Sequence, residues 1–136
     1  MLAETAEMKL VLLIMTPDRR GPLLEQLEAG GANVLPVSER QEAHRILRAW
    51  THIDVVVTDA MLGDWRWHDV MDEVARSGVE APVIVCSRLP DPELWVSALA
   101  RGAYDVLVEP YEHDEVRRIL DGAAADSERR RQALAS

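Results

Sequence analysis

The stretch from His52 to Gly63, HIDVVVTDAMLG, places a run of β-branched residues directly before an acidic residue and a turn. Valine and threonine favour strands, and a continuous apolar run is typical of a parallel strand that is buried on both faces. Asp59 therefore stands where such a strand ends. This position permits two interpretations of the carboxylate: a reactive group, or a turn residue that bonds to the following backbone.

The same pattern recurs along the chain, because short apolar runs alternate with longer segments of helical spacing. The predicted strands are Leu10–Met15, Asn33–Val37, Val55–Thr58, Val83–Cys86 and Asp105–Val108. Five such units predict an α/β domain, a doubly wound parallel sheet with helices on both faces. Ligands of these sheets bind at the carboxyl ends of the strands. The residues predicted at these ends are Ile14, Met15, Asp59, Ser87 and Glu109.

Capping residues predict where several helices begin. Asp91 followed by Pro92 is an N-cap with proline at the first helical position. Ser38 with Gln41 forms a capping-box pattern before the second helix. Asp18 is predicted to cap the first helix.

Composition excludes several classes of protein. The 136 residues suit one domain, and a formal net charge of -9 argues against direct binding to nucleic acid, which needs clustered Lys and Arg. The single cysteine excludes an internal disulfide. No apolar stretch approaches the roughly 20 residues of a membrane span, so we predict a cytoplasmic protein. We expect a domain at residues 9–125, after a disordered arm at 1–8 and before a helix extension or linker at 126–136.

Three segments together resemble the receiver domain of bacterial two-component response regulators: IDVVVTDAML, APVIVCS and ARGAYDVLVEP. They look like the third, fourth and fifth strands of that family, with an Asp ending the third, a Ser or Thr ending the fourth, and GA-x-D-x-L-x-x-P around the fifth. The resemblance covers the chain from about Lys9 to Ala125. It implies a flavodoxin-like sheet in the strand order 2-1-3-4-5 and a signal-transduction module that is not an enzyme.

The resemblance also implies roles for three residues. Asp59 would be the phosphoacceptor, its carboxylate attacking a phosphoryl group. Magnesium would be bound by two acids after the first strand, by the acceptor and by the carbonyl of Met61. Ser87 would contact the phosphoryl oxygens. A lysine before the fifth-strand proline would pair with the phosphate, and an aromatic residue in that strand would report the modification.

The sequence departs from this family pattern at four positions. Ile14 and Met15 stand where the acidic pair belongs, and neither side chain can bind a hard cation, which requires oxygen. Glu109 replaces the lysine, and Val106 replaces the aromatic switch. Two carboxylates about 5 Å apart repel by roughly 3 kcal/mol at an effective dielectric near 20, so we expect one of Asp59 and Glu109 to be protonated. This degenerate set predicts no bound cofactor and impaired phosphorylation.

Two alternatives stay open. The first is a functional receiver that is phosphorylated on Asp59 with the help of Mg²⁺. The second is a small-molecule sensor with an apolar-lined pocket around Ile14, Met15 and Ser87. A cation site that combines Asp18 with the carboxylates at the strand ends is also conceivable.

Protein contacts are the expected means of signalling, with a sensor kinase or another signalling protein as the partner. A homodimer is predicted through the fourth and fifth helices, Glu93–Arg101 and Glu112–Arg131. The candidate interface residues are Arg101, Tyr104, Asp105, Asp114, Arg117 and Arg118. Trp65 and Trp67 are two residues apart and cannot share one helix face, so at least one of them is expected at the surface.

Overall fold

A parallel sheet with helices on both faces forms the centre of the fold. The computed structural model describes residues 9–50 and 52–135, and its strands are β1 Leu10–Ile14, β2 Asn33–Val37, β3 Val55–Asp59, β4 Val83–Ser87 and β5 Asp105–Val108. The helices are α1 Pro17–Ala29, α2 Arg40–Ala49, α3 Trp67–Ser77, α4 Pro92–Ala100 and α5 His113–Ala135. The strands lie in the order β2-β1-β3-β4-β5, which confirms the predicted fold and topology. The arm predicted at residues 1–8 lies outside the described residues.

Alternate residues of each strand build two cores, one on each face of the sheet. Val11 and Leu13 pack against α1 and α5, whereas Leu12 and Ile14 pack against the side chains of α2, α3 and α4. The central strands β3 and β4 are buried at every residue, which explains their continuous apolar sequences. The edge strands β2 and β5 contain partly exposed residues.

Two of the predicted helix starts are wrong. α1 begins at Pro17 with Thr16 as its N-cap, so Asp18 lies in the first turn and does not cap the helix. Proline fits the first helical position because its φ is already helical, and the helix therefore begins two residues earlier than a cap at Asp18 predicts. The capping box expected at Ser38 is not formed, since Glu39 is the N-cap of α2 and no side chain bonds to the free backbone amides there.

The predicted start of α4 is confirmed. Asp91 Oδ1 accepts a hydrogen bond from the backbone N–H of Leu94 at 3.1 Å, and Pro92 occupies the first helical position. At the other end, Gly102 adopts a φ of 98°, a left-handed conformation that glycine reaches without steric cost. The chain can therefore turn at once into β5.

The two neighbouring tryptophans have different environments. Trp65, in the loop between β3 and α3, is 2% exposed and lies beneath the guanidinium of Arg40, which is 5.7 Å from the ring centre. Trp67 begins α3, is only partly buried and lies 6.0 Å from the guanidinium of Arg101. One indole therefore fills the core and the other reaches the surface, as expected.

The last helix continues beyond the sheet to Ala135. Arg131 on this extension donates a hydrogen bond to Asp54 Oδ1 at 3.0 Å, and Asp54 Oδ2 accepts one from the N–H of Leu10 at 2.8 Å. One carboxylate thereby connects the start of β1 to the end of α5. Within the described part of the chain, no helix has both the length and the apolar character needed to cross a bilayer.

Candidate functional site

Parallel pairing brings the carboxyl ends of the central strands side by side. Asp59 pairs in register with Cys86, and Ser87 pairs with Val108. Asp59 is the last residue of β3 and is 3% exposed, while Ser87 ends β4 and is 9% exposed. The structure therefore brings together the predicted phosphoacceptor and the predicted phosphate-contacting hydroxyl at one edge of the sheet.

Arg19 lies between the carboxylates of Asp59 and Glu109 at this edge of the sheet. Arg19, in the first turn of α1, places Nε 2.5 Å from Asp59 Oδ2 and Nη2 3.2 Å from Asp59 Oδ1. The same Nη2 lies 3.3 Å from Glu109 Oε2. The side chain of Arg19 is only 14% exposed, so its charge is poorly screened by water.

Arg19 changes the electrostatics that the sequence suggested. The expectation of an uncompensated repulsion between Asp59 and Glu109 is wrong, because a guanidinium lies within ion-pair distance of both. The hydrogen bond to Asp59 and the negative charges of both carboxylates raise the pKa of Arg19, against the opposing effect of burial. The cation is therefore permanent, and the cluster carries one net negative charge when both acids are ionised.

The remaining polar contacts hold the site residues in place. Asp59 Oδ1 also accepts a hydrogen bond from the N–H of Ala60 at 2.9 Å. The hydroxyl of Ser87 donates to the carbonyl of Leu89 at 2.8 Å and so bonds to its own loop. Met61 follows in the β3–α3 loop with its side chain 56% exposed. The Asp59 carboxylate is thus bound tightly on one side, and the loops beside it are open.

The residues at the predicted metal positions do not supply the oxygens that magnesium needs. Ile14 and Met15 are both fully buried, and they belong to the two cores on opposite faces of the sheet. Both oxygens of Asp59 are bonded to Arg19, which also contacts Glu109. Among the described residues, no group of three or more His, Cys, Asp or Glu side chains is placed to hold a metal.

An open cleft of about 760 Å³ lies beside Asp59, between the β3–α3 and β4–α4 loops. Ser87 lines it, but Ile14 and Met15 do not, so the apolar pocket predicted around these two residues is wrong in its location. They are instead core residues because β1 is a central strand. The lining residues are Thr16, Asp18, Arg19, Asp59, Ala60, Met61, Gly63, Arg66, Trp67, Ser87, Arg88, Leu89, Pro90, Asp91 and Leu94.

Tyr111 packs, partly buried, against the core on the α1 and α5 side of the sheet, and no sequence pattern indicated it. Burial, together with the nearby charges of Glu109 and Asp59, raises the pKa of its phenol. Burial likewise raises the pKa of Cys86, so this thiol is a neutral core group. Gln26 Nε2 on α1 donates to the carbonyl of Tyr111 at 2.6 Å and fixes the loop after β5 against α1.

Arg19 was also missed, although the sequence carries a signal for it. A cation in the first turn of a helix is disfavoured by the helix dipole, which favours acids there. An arginine in the first turn of a helix that begins at the binding edge of a parallel sheet therefore indicates a specific anionic partner. Here that partner is Asp59, 40 residues away in the sequence.

Val106, at the predicted switch position, is buried, and Tyr104, two residues earlier, is partly buried. Val106 is 8% exposed and packs on the face of the sheet that α2, α3 and α4 cover. Tyr104 packs on the opposite side, where its hydroxyl lies so close to Gly122 that a Cβ at position 122 would clash with it. The aromatic ring of this region is therefore wedged against α5.

The candidate interface residues fall into different environments. Arg101 pairs with Asp72 of α3 at 2.8 Å, and Arg118 pairs with Glu115 one turn earlier in α5 at 2.9 Å. Arg117 lies beside Gly30, next to the end of α1. The carboxylate of Asp105 accepts a hydrogen bond from the N–H of Val106, and Asp114 lies in the first turn of α5. The hydrogen bond to Glu115 and the charges of Glu115 and Asp105 raise the pKa of Arg118, so these three groups lie close together, whereas Arg101 is paired with α3.

Comparison with known proteins agrees with this architecture. The family model of the response regulator receiver domain matches residues 17–121. The DNA-binding transcriptional regulator NtrC of Rhizobium meliloti (strain 1021) is 31% identical over 77 residues, which are 57% of this chain but only 16% of that protein.

Two solved structures show the same fold at low sequence identity. A signal receiver domain assigned to a LuxO repressor protein from Vibrio parahaemolyticus has a TM-score of 0.81 and 17% identity, and the match covers 93% of this chain and 97% of that one. The beryllofluoride-activated NtrC4 receiver domain dimer has a TM-score of 0.78 and 21% identity, with 88% and 99% covered. Together with the strand order and the acid that ends β3, the family match shows that this chain belongs to the response regulator receiver domain family.

Proposed function

We propose that this receiver domain acts through protein–protein contacts and that its state is not set by phosphorylation of Asp59. The supporting observation is the position of Arg19, whose guanidinium contacts Asp59 and Glu109 at once. The domain binds no magnesium in this proposal and has no enzymatic activity of its own. Its signal is the presence or absence of a partner.

The energetic argument concerns charge. Phosphoryl transfer depends almost entirely on positioning and on neutralising the charge of the transferred group. An attacking oxygen of Asp59 must leave its hydrogen bonds to Arg19, and the incoming dianion must then lie beside Glu109. The pattern of the family supplies a divalent metal ion and a lysine, which together carry three positive charges. This site supplies only the guanidinium of Arg19, so two positive charges are missing.

A second candidate is a working phosphoacceptor. The observation in its favour is that Asp59 adjoins an open cleft and already has a cation beside it. Arg19 could neutralise part of the charge of a phosphoryl group, since arginine binds phosphate through two parallel N–H bonds. Both candidates therefore use the same arginine in opposite ways.

Intact-mass measurement separates the two candidates. The protein is incubated with acetyl phosphate and Mg²⁺, with the NtrC4 receiver domain as a positive control and the Asp59→Asn variant as a negative one. We expect no mass gain under conditions that modify NtrC4. A gain of one phosphoryl group that Asp59→Asn abolishes would establish the second candidate and overturn the first.

Receiver domains interact with sensor kinases and can form dimers, and we extend both properties to this chain. A sensor kinase or another signalling protein is the proposed partner, and a net charge of -9 favours a protein over nucleic acid. The proposed homodimer uses α4 and α5. Because Arg101 and Arg118 already have partners within the chain, the exposed Trp95 and Val96 of α4 are better suited to carry the contact.

A further inference from the structure

The cleft beside Asp59 has an apolar wall that the acceptor chemistry does not use. Met61, Trp67, Leu89 and Leu94 line it, and Leu89 is 72% exposed. Burying large apolar side chains of this exposure against a ligand would release favourable free energy, because their surface would leave water. The volume of about 760 Å³ falls in the range of small-molecule sites, which is roughly 300–1,000 Å³.

Every carboxylate on the cleft wall already has a hydrogen-bond donor. Asp59 is held by Arg19 and by the N–H of Ala60. Asp91 caps α4. The hydroxyl of Thr16 bonds to Asp18 and lowers its pKa. The acids of the cleft are therefore engaged, and none of them needs a ligand for compensation.

Two arginines of the cleft have no described carboxylate at ion-pair distance. Arg66 and Arg88 line the cleft with exposed side chains, and within residues 9–50 and 52–135 neither makes an ion pair. Arg88 is near enough to Asp18 to contribute, after the hydrogen bond from Thr16, to the lowered pKa of that carboxyl. They come from the β3–α3 and β4–α4 loops, so they approach the cleft from two sides. Guanidinium groups in this state are suited to bind an oxyanion through paired N–H bonds.

We propose that this cleft is a binding site for a small amphipathic organic anion. Its acid group is held by Arg66 and Arg88, and its apolar body packs on Met61, Trp67 and Leu89. The inference deepens the proposed function and rests on it, because Arg19 keeps Asp59 compensated and leaves the cleft free of metal and phosphoryl chemistry. The ligand would take the regulatory part that phosphate has elsewhere in the family.

The chemistry of the cleft distinguishes this ligand from simpler anions. Inorganic phosphate satisfies the two guanidinium groups but leaves the apolar wall exposed. A neutral aromatic compound covers the wall but leaves the guanidinium groups without an anion. Only a molecule that combines both features uses the whole site, so affinity should depend on both.

Fluorescence titration with 1-anilinonaphthalene-8-sulfonate tests the proposal, with the neutral N-phenyl-1-naphthylamine as the matched probe. We expect the sulfonate to bind at one site, and Arg66→Gln/Arg88→Gln to weaken it about tenfold or more because charged hydrogen bonds are lost. The double variant should leave the affinity of the neutral probe unchanged. Arg45→Gln, an exposed substitution on α2, is the control and should change neither affinity.

NMR spectra of the same titration locate the bound probe. Shifts should concentrate at the methyl of Met61 and the indole N–H of Trp67, and circular dichroism checks that each variant is folded. Unchanged sulfonate affinity in the double variant, or shifts confined to another surface, overturns the proposal. The intact-mass measurement reports on Asp59 independently of the titration. If Asp59 is not phosphorylated and the sulfonate does not bind, only this inference is contradicted. If Asp59 is phosphorylated, the proposed function is contradicted.

Discussion

Arg19 decides the electrostatic character of the sheet edge that carries Asp59, and its one signal in the sequence is an arginine in the first turn of α1, where the helix dipole disfavours a cation. Its guanidinium contacts a buried acid and a partly exposed one, and removing a charge from such a cluster leaves the others uncompensated. Asp59 and Ser87 were predicted correctly to lie at this edge. Their partners were not: Asp59 bonds to an arginine that only the fold brings near, and Ser87 bonds to the carbonyl of Leu89 in its own loop.

Replacing Arg19 with Met should lower the free energy of unfolding at pH 7 by about 1–3 kcal/mol, because Asp59 and Glu109 then face each other without a cation. Adding Glu109→Gln should recover part of that loss, since it removes one of the two repelling charges. Urea unfolding measures both variants, with Arg20→Met on the same helix as the control. Equal losses for the single and double variants would contradict a shared cluster.

Helix α3 is joined to α2 by a buried acid. Glu73 is 7% exposed and accepts hydrogen bonds from Arg48 and from Nδ1 of His44, each at 3.0 Å. Burial opposes its ionisation, but these hydrogen bonds and the nearby charge of Arg48 outweigh burial and lower the pKa of Glu73. Helical periodicity predicted the apolar faces of these elements but gave no indication of this polar connection, which depends on their crossing.

Replacing Glu73 with Gln should destabilise the domain by about 1–3 kcal/mol at neutral pH. The pKa of Glu73 in the folded protein is below the ordinary value of a glutamate, so its contribution to stability is fully present above that ordinary value and is lost as the pH falls through the folded pKa. The variant and the parent should therefore converge in stability in acid. Thermal unfolding between neutral and acid pH measures this, and Glu80→Gln on the exposed loop should show no such convergence.

At the scale of the whole molecule, helix α4 presents apolar side chains that the two cores do not use. Helix α4 buries only Ala98, while Trp95 is 50% exposed and Val96 is 60% exposed. At the opposite end of the sheet, Arg131 and Asp54 fasten the α5 extension to the start of the strands. A dimer through α4 and α5 would thus join domains whose last helix has a fixed position relative to the sheet.

Size-exclusion chromatography with light scattering should find a dimer without any phosphate mimic, and Val96→Asp should shift it to monomer because a buried charge would face the partner. Leu134→Asp is the matched control: Leu134 is 71% exposed and lies beside Trp50 and His52 at the far end of α5, away from α4, so the substitution should leave the dimer intact. A monomer at every protein concentration would contradict the proposed contact.

The sequence by itself determined the fold class, the strand boundaries to within one residue, and the edge that carries Asp59 and Ser87. These follow from periodicity and from the rule that parallel strands end together, which are properties of local segments. Only the tertiary structure decided which charges meet. Arg19 lies 40 residues from Asp59 in the sequence, and Arg131 lies 77 residues from Asp54. The reason is physical, since an ion pair depends on the reach of two side chains from different elements and leaves no period in the sequence.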